Sequence, residues 1–101
     1  MSELDRVIHE PARLLIVALL HGVKEADFLY LMREGNLTKG NLSSHLAKLE
    51  EAGYVEIEKT YRGKIPLTII RLTKSGRAAF EDYRTRLSGL LGKAKPRAGQ
   101  R

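Results

Sequence analysis

LTKGNLSSHLAKLEEAGYVEIEKTYRGKIPLTIIRLTKSGR, residues 37–77, changes its periodicity twice, and those changes decide the fold. The first part is helical in period. Leu42, Leu46 and Leu49 recur on one face, Thr38 suits an N-cap, and Gly53 suits the stop. YVEIEKTY then alternates, with Val55 and Ile57 against Glu56 and Glu58, as a half-buried strand does. RGKIP reads as a turn, and PLTIIRL as a second strand with Pro66 at its start, where a strand tolerates proline. Thr73 can cap a last helix, KSGRAAFEDYRTRLSGLL, with its apolar stripe at Ala79 or Phe80, Tyr83, Leu87, and Leu90 or Leu91.

Upstream, Pro11 fits the first turn of a helix, where its missing N–H is not needed. The run Leu14–Leu20 is seven successive apolar residues before Gly22. A helix apolar all round is covered on all sides, and in so small a chain a second subunit is expected to supply part of that cover. Leu4, Val7 and Ile8 suggest a short leading turn. In KEADFLYLMREGN, Phe28, Leu29, Leu31 and Met32 form a second helical stripe ending at Gly35. The expected order is helix, helix, helix, strand, turn, strand, helix.

With 101 residues, 43% hydrophobic and 30% charged, the chain fits one globular domain. Its net charge of +6 is unevenly placed. Residues 1–53 hold six Lys/Arg and eight Asp/Glu, and residues 54–101 hold twelve and four. Absence of Cys excludes disulfides, thiolate metal sites and a cysteine nucleophile. No apolar run approaches the ~20 residues that span a bilayer. The acidic start MSELDRVIHE lacks the basic and apolar regions of a signal peptide, so a cytoplasmic location is expected. His9, His21 and His45 have no partner at metal-ligand spacing, and no carboxylate pair has a nearby His. There is no Gly-rich phosphate loop. Neither enzyme chemistry, a metal nor a cofactor is expected.

Two short helices, a tight turn between them and a hairpin directly after the second form a specific order. With LSSHLAKLEEAGYVE (42–56) and RLTKSGR (71–77), the chain resembles winged helix-turn-helix transcriptional regulators of the MarR and ArsR type over about residues 8–90. The resemblance implies an α+β, mostly helical fold: a three-helix core, a two-stranded β-wing and an additional C-terminal helix. Residues 1–91 would form the winged helix-turn-helix domain with terminal dimerisation helices. Residues 92–101, GKAKPRAGQR, with no acid and no large apolar residue, would form a disordered basic tail.

The resemblance also implies a sequence-specific, double-stranded DNA-binding regulator, with the second helix of the pair in the major groove and the wing on the minor groove or its phosphates. At ~100° per residue, the leucine stripe of this helix opposes Gly40, Asn41, Ser44, Lys48 and Glu51. Asn reads adenine bidentately, Ser donates or accepts, and Lys reaches guanine or phosphate. We therefore expect Asn41, Ser44 and Lys48 at base edges, Lys39 and Ser43 on phosphates, Gly40 allowing close approach, and Thr38 at the N-terminus chiefly as the cap. His45, beside the leucine stripe, suits boundary packing as well as contact. At the wing, Lys59, Arg62 and Lys64 are the expected contacts, and Gly63 sets the turn. Relatives pair through terminal helices, which implies a homodimer on a palindromic site. Leu14, Val17, Phe80, Tyr83, Leu87, Leu90 and Leu91 are its candidate interface. A protein–protein adaptor on the same fold is the alternative function.

Overall fold

The computed structural model describes residues 4–94. In chain order the elements are α1 (Pro11–His21), β1 (Ala26–Asp27), α2 (Phe28–Gly35), α3 (Lys39–Glu51), β2 (Val55–Arg62), β3 (Ile65–Leu72) and α4 (Lys74–Ala94). The expected winged helix-turn-helix order is present, with one strand more. β1 pairs antiparallel with β3 at Ala26↔Ile70 and Asp27↔Ile69, so the sheet has three strands in the order β1-β3-β2. Asp27 also caps α2, accepting the Tyr30 N–H at 2.8 Å. α2 therefore starts at Phe28, which turns Leu29 out of the expected stripe; it is 57% exposed, while Leu31 is fully buried.

α1 crosses the centre of the domain, touching α2, α3, β3 and α4. Ile16, Val17 and Leu20 enter the common core with Leu31, Leu42, Leu46, Leu49, Val55, Ile70 and Phe80. This corrects one expectation. The apolar circumference of α1 is covered mainly by its own chain, with only Leu15 and Ala18 of the run Leu14–Leu20 exposed.

α4 is divided along its length. Its start is held by Thr73, whose Oγ1 accepts the Gly76 N–H at 2.9 Å and donates to the Gly53 carbonyl at 2.7 Å. Arg77 donates to the His21 carbonyl at the end of α1 (3.2 Å), and the Phe80 ring lies 4.9 Å from the His21 ring. Phe80 and Tyr83 are thus buried, whereas Leu90 and Leu91 are exposed. At 21 residues, α4 is ~31 Å long, and its second half projects from the domain. It runs through Gly92 to Ala94, three residues past the expected boundary at Leu91, and Lys93 in its last turn suits the helix dipole. The remainder of the expected basic tail, 95–101, lies outside the described residues.

The N-terminal segment straps the domain. Asp5 Oδ1 accepts the N–H groups of Val7 (2.8 Å) and Ile8 (3.2 Å), and Ile8 is fully buried. The Tyr54 hydroxyl donates to Asp5 Oδ2. Burial, and after it the hydrogen bond and negative charge of Asp5, push the Tyr54 phenol up to about 12 from its ordinary value of 10.0. A raised acid favours the neutral form in the fold, so this stabilisation is complete below pH 10 and lost as pH rises through about 12. Tyr54→Phe is expected to cost about 1 kcal/mol at neutral pH, given the partial exposure of the ring. Thermal melts between pH 8 and 12 check this: the wild-type melting temperature should fall more steeply at the alkaline end than that of the variant.

Candidate nucleic-acid interface

α3 is fixed from both ends and from behind. Asn36, in the left-handed region (φ 52°), ends α2 and turns the chain. Thr38 then caps α3, its Oγ1 accepting the Asn41 N–H at 3.1 Å. Leu42, Leu46 and Leu49 are buried, which sets the rotation of the helix about its axis. Lys39, Gly40, Asn41, Ser43, Ser44 and Lys48 consequently face outward, all exposed, as is Thr38. A Cβ at Gly40 would meet nothing within 4 Å, so any constraint there comes from outside the chain.

His45 is half-buried behind this face, against α1. Its Nδ1 lies 3.2 Å from a terminal nitrogen of Arg13 and 3.9 Å from Glu10 Oε1. A guanidinium only donates, so the Arg13 contact requires Nδ1 as acceptor. Arg13 Nε in turn donates to the Val7 carbonyl at 2.6 Å. The rear of α3 is therefore tied through α1 to the N-terminal strap. Thirty-two residues separate Arg13 from His45, and no local pattern announces the pair.

β2 and β3 pair from Val55↔Leu72 to Arg62↔Ile65, leaving Gly63 and Lys64 as a two-residue loop. Gly63 has φ 65°, and positive φ at the first loop position is the mark of a type II′ hairpin. Arg62 and Lys64 stand exposed at the tip. Lys59 lies nearer α3, across from Thr68. Together with Lys39, Ser43, Ala47 and Glu50 of α3, and with Phe28 and Ile57, these two residues line an open cleft of about 640 Å³. Ile57 shares the face of Lys59 by strand alternation, whereas Thr68, absent from the expected site, joins that face only by pairing with Lys59 across the hairpin.

The electrostatics separate two groups of cations. Arg71 is held by Glu58 (2.8 Å) and Glu25 (3.0 Å), and Arg86 by Asp82 (2.7 Å). Among the described residues, Lys39, Lys48, Lys59, Arg62 and Lys64 form no ion pair. The unpaired positive charge thus includes α3 and the hairpin, with Glu50 as an acid in the cleft between them. No group of three or more His, Cys, Asp or Glu able to hold a metal occurs among the described residues.

The expected pairing surface needs correction. Val17 is 0%, Phe80 6% and Tyr83 3% exposed within one protomer, and Leu14 packs against the same core. Val17, Phe80 and Tyr83 are therefore taken up by their own domain, and Leu14 is half-buried against it. Leu87, Leu90 and Leu91 remain, on the projecting half of α4, with Leu87 half-buried.

The model of a winged helix DNA-binding domain matches residues 12–91. The chain belongs to that family. An uncharacterised protein of Methanocaldococcus jannaschii is 44% identical over 79 residues, covering 77% of this chain and 85% of that one. The structure of a transcriptional regulator homologue from Pyrococcus horikoshii superposes with a TM-score of 0.86 at 26% identity, over 91% of each chain. A MarR family transcriptional regulator from Silicibacter pomeroyi shares the fold, with a TM-score of 0.63 at 18% identity over 94% of this chain and 77% of that one. The winged helix proteins that it resembles are transcriptional regulators, not enzymes. Among the described residues no helix is long and apolar enough to cross a membrane.

Proposed function

We propose that the protein is a homodimeric transcriptional regulator of the cytoplasm that reads a palindromic site in double-stranded DNA. Residues 1–91 act as the reading domain with its pairing helix. The observation that carries this reading is the division of α3, with three leucines fully or almost fully buried and a row of short polar residues exposed opposite them. The major groove admits one α-helix, and every base pair shows it a distinct pattern of donors and acceptors. Asn41, Ser44 and Lys48 read base edges. Lys39 and Ser43 hold phosphates, and Gly40 lets the backbone approach.

The cleft between α3 and the hairpin gives the phosphate strand a course. It has a lysine on each side, Lys39 and Lys59, and hydroxyls at Ser43 and Thr68. Arg62 and Lys64 extend the contact to the minor groove and the phosphates along its edges. This basic lining favours DNA over an adaptor's protein partner.

Pairing rests on Leu87, Leu90 and Leu91 of the projecting α4. Isologous contact through this helix sets two copies of α3 against two half-sites, one DNA turn or a multiple apart. Alanine substitutions at Asn41, Ser44 and Lys48, one at a time, test the reading helix. Titration against a selected duplex and its single-base variants should show Asn41→Ala losing about 1–3 kcal/mol of discrimination at one base pair. Unchanged affinity and specificity in all three folded variants would rule out α3 as the reader.

A further inference from the structure

The two most exposed large apolar side chains among the described residues both lie at the hairpin tip: Tyr61 at 69% and Ile65 at 68%. Neither belongs to the core. The register places them on opposite faces of the hairpin, since Tyr61 pairs with Pro66 and Ile65 with Arg62, and paired residues share a face. The tip therefore carries an apolar flank on each side of the ribbon, with Arg62 and Lys64 at its end. A single flat partner could cover only one of these flanks. A slot with two walls covers both.

We propose that the tip enters the DNA minor groove as an apolar wedge, with Tyr61 against the deoxyribose wall of one strand and Ile65 against that of the other. This inference rests on the DNA-binding reading above. The walls of that groove are sugar C–H surface below charged phosphates, which matches apolar flanks beside cations. The groove of relaxed B-DNA is ~6 Å wide, and a two-stranded ribbon with side chains on both faces is thicker. Entry therefore widens the groove, and a widened minor groove bends the duplex toward the major groove. The cost of that deformation depends on sequence and is lowest at pyrimidine–purine steps. Tyr61 and Ile65 are on this account specificity-determining without a hydrogen bond to any base.

The test compares Tyr61→Ser/Ile65→Ser with Arg62→Ala/Lys64→Ala and wild type. The probe is one selected duplex, with affinity measured over a salt series and bend measured by end-to-end energy transfer. An apolar contact releases no counterions. The serine pair should therefore lower affinity about tenfold and reduce the bend while leaving the slope of log affinity against log salt unchanged. The alanine pair should flatten that slope by roughly one to two. The two serine sites are exposed, so circular dichroism should match wild type. Wild-type binding and bending that survive unchanged in the serine pair overturn the wedge alone. A serine pair that sediments as a monomer also overturns it, and makes the tip a contact between copies. Failure of wild type to bind any duplex overturns the DNA reading and the wedge with it.

Discussion

Gly76→Ala is expected to destabilise the domain by about 3 kcal/mol, a cost of overpacking against backbone. A Cβ at this position would stand 2.2 Å from the Tyr54 carbonyl oxygen and 2.8 Å from Leu72 Cδ1. The carbonyl cannot retreat easily, because it accepts the Thr73 N–H at 3.0 Å. Its neighbours are committed as well: Thr73 Oγ1 bonds both Gly53 and Gly76. This corner joins the start of β2, the end of β3 and the start of α4. Relief of the overlap means tilting α4 away from the sheet, which loosens Phe80 and Tyr83 in turn. A drop of roughly 10–20 °C in melting temperature follows for a domain of this size. Melting at neutral pH checks it, with Gly40→Ala as the comparison. There an added Cβ meets open space, and within a helix alanine is favoured over glycine. Equal melting temperatures for Gly76→Ala and wild type would mean that α4 is not held against this corner.

Polar substitution of the projecting face of α4 should have the largest effect on DNA binding. Leu87→Gln with Leu91→Gln removes one half-buried and one exposed leucine from the projecting half of the helix. The core residues on α4, Phe80 and Tyr83, lie upstream and stay in place. The variant should sediment as one species near 11.4 kDa, and the wild type at twice that mass. Affinity for a two-half-site duplex should fall by roughly 10²–10³-fold, because the second half-site is no longer engaged within the same complex. Affinity for an isolated half-site should change little. Wild type sedimenting near 11.4 kDa at micromolar concentration would remove the dimer from the account.

The elements most legible in the sequence are those whose pattern is local. The α3 stripe has one unbroken period, with a cap at Thr38 and a stop at Gly53. The hairpin alternates cleanly on β2 and turns at a glycine that needs positive φ. β1 has no such mark. Its two residues, Ala26 and Asp27, are a strand only because β3 offers them an edge, a property of distant sequence. Val17, Phe80 and Tyr83, expected at a pairing surface, are buried within their own domain for the same physical reason. Period gives the apolar face of a helix but not the body that covers it. On α4 the stripe runs on from Phe80 to Leu91 without a break, although the fold buries only its first part. The tie between His45 and Arg13 joins two helices at long range and is likewise invisible to local pattern. Within the candidate interface, outward placement of Asn41, Ser44 and Lys48 follows from the leucine stripe alone. The cleft with Thr68 follows only once β3 is laid beside β2.

Two copies of α3, one from each protomer, should read a symmetric site in duplex DNA. Selection of bound sequences from a random duplex pool, with the full chain at moderate salt, tests it most directly. An inverted repeat whose half-sites are centred ~10–10.5 base pairs, or a multiple, apart should be enriched. Asn41→Ala should relax one symmetric pair of positions in that repeat. A pool that gains no common sequence over successive rounds, with the chain folded and duplex binding measurable, would contradict it.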